Sequence, residues 1–166
     1  MVRAALDPET RLAHDDHEAL RLWLRLYTCA TMNERQVDSM LKREFGSSLP
    51  RFDLLSQLER APQGLRMSEL SARMLTTGGN VTWLATALEK EGFVSRRVAP
   101  EDRRATLVRL TPTGRRHFGA MARAHERLIT RTFDGLTAAE RRSLHELLGT
   151  LKARFRSHPS ATKDRP

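Results

Sequence analysis

The sequence predicts a mainly α-helical fold with a small β-hairpin wing, and three observations lead there. The stretch from Met67 to Gly114, MSELSARMLTTGGNVTWLATALEKEGFVSRRVAPEDRRATLVRLTPTG, reads as a short helix, a tight turn, a longer helix with a polar outer face and an arginine-studded hairpin. Apolar residues recur at helical spacing on both sides of it, from about Asp16 to Phe45 and again beyond Pro112. Lys and Arg outnumber Asp and Glu by 29 to 20, a formal charge of +9, which suits a polyanionic partner. Together these features describe a winged helix-turn-helix flanked by N- and C-terminal dimerisation helices.

Residues 1–14 mix Arg, Asp, Pro and His without a period and read as a flexible arm. Residues 15–46 make the first dimerisation helix. Leu20, Trp23, Leu24, Tyr27, Thr31, Val37, Leu41 and Phe45 lie near a 3.6 spacing, while Leu22, Leu26 and Cys29 widen the apolar face. A face that wide usually meets two surfaces, its own core and a second subunit. Gly46 is its C-cap.

The winged region spans 47–110. Ser48 precedes Leu49-Pro50, the first turn of a short helix buried through Phe52, Leu54, Leu55 and Leu58 and ended before Pro62 and Gly64. Leu65-Arg66-Met67 supplies a small strand for the later hairpin. Residues 111–156 return to helix. Thr111-Pro112 begins one carrying Phe118, Met121, Leu128 and Ile129, and Thr137 with Glu140 forms a T-x-x-E capping box for the next. Behind that box Leu144, Leu147, Leu148, Leu151 and Phe155 form a stripe. The small winged region cannot cover both terminal stripes, so pairing of two copies is the economical solution. Residues 157–166 are polar, with two prolines, and read as a disordered tail.

Several function classes fall away. No run of about 18 apolar residues and no basic-then-apolar leader argue for a membrane. Cys29 is the one cysteine, so no intramolecular disulfide forms and a reducing cytoplasm fits. There is no phosphate loop ending in Gly-Lys-Ser/Thr and no Gly-x-Ser-x-Gly elbow. None of the pairs His17-Glu18, His125-Glu126 and His145-Glu146 has a second His four places after the first. No enzyme and no cofactor is expected.

Within the winged region Ser68 is read as the cap of the first helix, with Leu70 and Met74 inward and Ala72 at a close packing position. Thr77 caps the second, and Gly78 and Gly79 in its first turn let another backbone or a phosphate approach. Val81, Leu84, Ala85 and Leu88 share a core-facing arc; Thr82, Trp83, Thr86 and Lys90 share the opposite one, with Asn80 at its edge. Trp83 has two readings: its ring presses on sugars or thymine methyls in a major groove, or folds sideways onto a neighbouring helix. Gly92 ends the helix. The hairpin strands are read as Phe93–Val98 and Ala105–Leu110. Seven arginines (Arg96, Arg97, Arg103, Arg104, Arg109, Arg115, Arg116) stand against two acids between residues 93 and 118. Guanidinium forks suit phosphates and narrow minor grooves of double-stranded DNA, and Asp102 orients a nearby arginine.

At these residues the chain resembles the MarR family of bacterial transcription regulators. The matching text is MSELSARMLTTGGNVTWLATALEKEGFVSRR followed by PEDRRATLVRLTPTG, and the helical order over residues 16–156 agrees. The resemblance implies a homodimer whose two recognition helices read the halves of a pseudo-palindrome. By position, Ser68, Thr77, Asn80 and Thr82 correspond to recognition contacts, and Asp102, Arg103 and Arg104 to the wing motif. Members often carry Arg or Gly where Trp83 stands and Asp-Arg where Thr86-Ala87 stand, so base-level specificity does not carry over. The resemblance also implies release from DNA by a small aromatic anion. Leu20–Pro62 is similar to members controlling aromatic-acid catabolism, some of which sense acyl-CoA thioesters. The candidate effector residues are Arg21, Trp23, Arg25, Tyr27, Arg51, Phe52 and Leu55; ordinary helix packing is the competing reading of each.

Two other regulatory readings compete with a small-molecule effector. Some members of the resembled family sense peroxide through a cysteine in the first helix, which nominates Cys29; a buried, inert thiol is the alternative. His14, Asp15, His17 and Glu18 have a spacing that allows two metal ligands on one helix face, short of the three or four a closed site needs.

Overall fold

A computed structural model of the chain describes residues 17–99 and 102–157. The arm expected over 1–14, the candidate metal ligands His14 and Asp15, and residues 158–166 of the expected tail lie outside the described residues. The elements run α1 (Glu18–Phe45), α2 (Leu49–Glu59), β1 (Leu65–Arg66), α3 (Met67–Arg73), α4 (Gly78–Lys90), β2 (Val94–Ala99), β3 (Asp102–Leu110), α5 (Pro112–Thr132) and α6 (Ala138–Ser157). They fall into two compact units that divide within α5, between His125 and Glu126.

The first unit is organised around a core of Leu41, Leu54, Leu55, Leu58, Leu70, Val81, Leu88, Val108 and Met121, all essentially without solvent contact. α1 ends as its glycine predicts: Gly46 takes φ 57°, and the amides of Gly46 and Ser47 return to Lys42 O and Leu41 O. Asp38 on α1 then holds the start of α2. Its carboxylate accepts from Leu49 N at 2.9 Å and pairs with Lys42 at 2.7 Å, and these two bonds hold it below the usual carboxylate range.

The three strands form one antiparallel sheet in the order β1-β3-β2. Leu65 faces Val108, and Val94 to Val98 pair with Leu110 to Thr106. A register irregularity after Val98 places Ala99 opposite Asp102. The hairpin is therefore longer than the sequence suggested: β2 reaches Ala99, and β3 starts at Asp102 instead of Ala105. Backbone pairing overrides the turn-like composition of that tip.

Two expectations about α3 are corrected. Ser68 does not cap it, because β1 runs directly into the helix and Arg66 is the capping residue. The backbone N–H of Arg66 donates to Glu69 Oε2 at 2.6 Å. Ala72 does not pack inward; it is exposed, and Leu70 is the buried anchor of this helix.

In the second unit the capping box stands. Thr137 N and Oγ1 donate to Glu140 Oε2 at 2.7 and 2.8 Å, and Glu140 N donates to Thr137 Oγ1 at 3.3 Å. The backbone bond from Thr137, then its hydroxyl, keeps the Glu140 carboxyl below its ordinary range. α6 buries none of its residues, and Leu144, Leu147, Leu148 and Phe155 are exposed.

Candidate nucleic-acid interface

α4 is built to present one face outward. Thr77 caps it through a hydrogen bond from Asn80 N to Oγ1 at 3.4 Å, while Val81, Leu84, Ala85 and Leu88 are buried. Gly78 and Gly79 are exposed. A Cβ at Gly79 would meet nothing within 4 Å, and one at Gly78 only Ser71 Oγ at 3.9 Å. Internal packing therefore does not require either glycine. Thr82, Trp83 and Lys90 are exposed and Thr86 half-exposed on the outer arc. Trp83 is 69% exposed, which removes the reading in which it folds onto a neighbouring helix. Its ring borders an open hollow of about 690 Å³ shared with Phe52, Arg60, Met74 and Leu75. Ser68 is exposed near the start of α3, and Asn80 donates its amide to Thr76 Oγ1 at 3.2 Å.

The arginine count overstates the number of free cations. Arg96 donates through Nε to Glu89 Oε2 at 2.7 Å, and its backbone N–H donates to Glu89 Oε1 at 3.1 Å. This grip ties the first wing strand to α4, and the Arg96 hydrogen bond draws the Glu89 carboxyl below its usual range. Arg115 pairs with Glu59 at 2.9 Å, and Arg116 donates to Thr113 Oγ1 at 3.2 Å. Arg109 is half-buried with its stem over Gly64. Arg97 is exposed on β2. Asp102, Arg103 and Arg104 belong to the backbone of β3, but their side chains lie outside the described residues, as does the expected role of Asp102 in orienting an arginine. Glu89 is the residue that sequence reasoning missed. Its signal was an acid on the recognition helix seven residues before a strand arginine.

The wing root is locked to α5. Thr111 Oγ1 donates to Gly92 O at 2.6 Å and accepts from Gly114 N at 2.9 Å. Phe93 stacks on His117 with ring centroids 4.2 Å apart and planes 3° from parallel. Burial, with the Arg51 guanidinium adding to it, pushes His117 below its ordinary range.

This arrangement matches known proteins. The MarR family model matches residues 48–106. A HTH-type transcriptional regulator of Bacillus cereus is 31% identical, over 76% of this chain and 84% of that protein. The chain belongs to the MarR family. YdgJ, an HTH-type transcriptional regulator of Bacillus subtilis, is 36% identical, and the match spans 64% of this chain and 65% of that relative. The crystal structure of the MarR family regulator Sco3205 from Streptomyces coelicolor, solved in complex with DNA, superposes with a TM-score of 0.74 at 26% identity. It covers 96% of this chain and 95% of that one.

The effector residues nominated by resemblance have different surroundings in this chain. Leu55 is corrected outright: it is fully enclosed in the core, where no ligand reaches it without opening the first unit. Phe52 packs against Phe118 and His125, with centroids 5.4 and 5.0 Å away, and Arg51 is hydrogen-bonded to Glu91. Trp23 and Tyr27 pair with each other at 5.9 Å on the exposed half of α1, the helix that also carries Arg21 and Arg25. Cys29 is exposed on the same helix, against the reading of a buried thiol. Among the described residues no group of three or more His, Cys, Asp or Glu could hold a metal ion, and no helix is long and apolar enough to cross a membrane.

Proposed function

We propose that this protein is a cytoplasmic, homodimeric transcription regulator that binds a pseudo-palindromic DNA operator and represses the adjacent promoter. The observation that carries this reading is the capped, outward face of α4, Thr82, Trp83, Thr86 and Lys90, held beside the wing by the Glu89–Arg96 grip. Such a helix enters a major groove while Arg97, and Arg103 and Arg104 at the wing, meet phosphates or the minor groove. The relative Sco3205, solved with DNA, supports the same use of the fold. Two-fold pairing is supported by the exposed apolar residues Leu20, Leu22, Trp23 and Tyr27 on α1 and Leu147 and Phe155 on α6. Repression needs nothing beyond occupancy of a promoter, whereas activation needs a further contact with the transcription machinery.

The effector is a small aromatic carboxylate or its CoA thioester, and the exposed Trp23–Tyr27 pair on α1 is its docking candidate. Release requires that the ligand bind the DNA-incompetent dimer more tightly, with about 1–3 kcal/mol of coupling being typical. A second reading, oxidant sensing through Cys29, is favoured by the exposure of that thiol. Cys29→Ser that keeps a full peroxide response removes it.

Selection from a library of random duplexes tests the function. A roughly two-fold symmetric consensus is expected, bound with an affinity that falls steeply with salt. Equal affinity for every duplex in competition overturns the reading. A thermal-shift series of aromatic acids and their CoA thioesters then tests the effector class.

A further inference from the structure

We infer that α4 recognises its half-site mainly through thymine C5-methyl groups, with Thr82, Trp83 and Thr86 as the reading surface. The inference rests on the proposed DNA-binding function and names what that function reads. On an ideal helix Thr82, Trp83, Thr86 and Lys90 fall within about 100° of arc, the exposed side of α4 opposite the buried Val81, Leu84, Ala85 and Leu88.

The hydroxyl donors of that arc are already committed. Thr82 Oγ1 donates to Gly78 O and Thr86 Oγ1 to Thr82 O, each at 2.8 Å. Both hydroxyl protons therefore point into the helix's own backbone, leaving Cγ2 methyls and an acceptor lone pair for any partner. Asn80, the amide that would suit adenine, is at the edge of the arc and spends one N–H on Thr76 Oγ1. Trp83 offers a broad apolar ring and one indole N–H. Lys90 is a single point charge a little over two turns beyond Thr82, suited to phosphate.

Apart from Lys90, whose place in the last turn of α4 sets it away from the N-terminal residues that meet base edges, no side chain on this face combines the paired donors that read guanine O6 and N7. Guanine has no methyl to offer such a surface. Thymine does, and its C5-methyl is the one apolar feature that distinguishes a base pair in the major groove. Two threonine methyls beside an indole ring form a surface complementary to it.

The test uses the wild-type protein and the duplex it selects from random DNA. Each thymine of the half-site is replaced in turn by deoxyuridine, which removes the methyl and nothing else. One to three positions are expected to lose about three- to fivefold in affinity each, with no change in the salt slope. Thr82→Ser keeps the bond to Gly78 and deletes the protein's methyl. It is expected to bind more weakly and to become indifferent to uracil at the position facing residue 82. A consensus whose affinity is unmoved by uracil everywhere overturns this inference and leaves the DNA-binding function standing. A selection with no consensus overturns that function and the inference with it.

Discussion

Replacing Gly114 by Ala tests the junction that sets the wing against the helical body. A Cβ built at Gly114 would lie 1.8 Å from Phe93 O, 2.7 Å from Phe93 C and 3.0 Å from Phe93 Cα. The obstacle is backbone, so no rotamer change relieves it. Restoring ordinary contact with the oxygen needs a separation of roughly 3.2 Å, a displacement well over an ångström. Phe93 O cannot yield alone: it accepts from Thr111 N at 3.0 Å, and the Phe93 ring is stacked on His117. Overpacking into a well-filled site costs about 1–3 kcal/mol and more when the backbone is involved, so about 3 kcal/mol or more is expected. Better helix propensity of alanine returns at most ~1 kcal/mol. For a chain of this size about 2 kcal/mol net shifts Tm by roughly 4–8 °C. Thermal unfolding followed by circular dichroism, at matched protein concentration, measures it. Gly149→Ala, in α6 with nothing within 4 Å of the added Cβ, is the control and should raise Tm slightly. Gly114→Ala melting at or above the parent temperature would refute the reasoning.

Other consequences follow from the same geometry. The depressed Glu89 carboxyl contributes stability above its ordinary value of 4.5, and that stability is lost as pH falls through the lower folded value. Glu89→Gln should therefore lower Tm at neutral pH and flatten the acid limb of a Tm–pH series. His117 is also depressed from 6.5, so the fold favours its neutral form and loses stability as pH falls below that value toward the folded one. His117→Phe should remove that part of the acid sensitivity, measured in the same series. Arg97→Ala, at an exposed arginine, should reduce the log–log salt slope of DNA binding by about 1. A slope equal to that of the parent protein would take Arg97 out of the phosphate contacts.

The helices were legible because their signals are local. Gly46, Thr77, and the Thr137–Glu140 pair each satisfy backbone groups within a few residues of themselves, so their spacing alone marks the ends of α1, α4's start and α6's start. The arc of Val81, Leu84, Ala85 and Leu88 followed from helical periodicity in the same way. Cap placement at α3 failed because a strand pairing with Val108 and Leu107, remote in sequence, carries the chain straight into that helix. Hairpin length failed for a related reason, since pairing through Asp102 is decided by the register of two strands and not by composition.

Residue order was enough for the sequence of elements, the outward face of α4, the basic balance of the chain and its resemblance to the MarR family. Each depends on short-range periodicity or on residue type. Tertiary structure alone decided which arginines are free, because a guanidinium's availability depends on the carboxylate that folding brings beside it. Arg96 is held by Glu89 and Arg115 by Glu59, while Arg97 stays open. It also decided that Trp83 faces solvent and Leu55 does not. Two apolar residues in neighbouring helices look alike in a sequence; what separates them is the wall that packing raises on one side and leaves off the other.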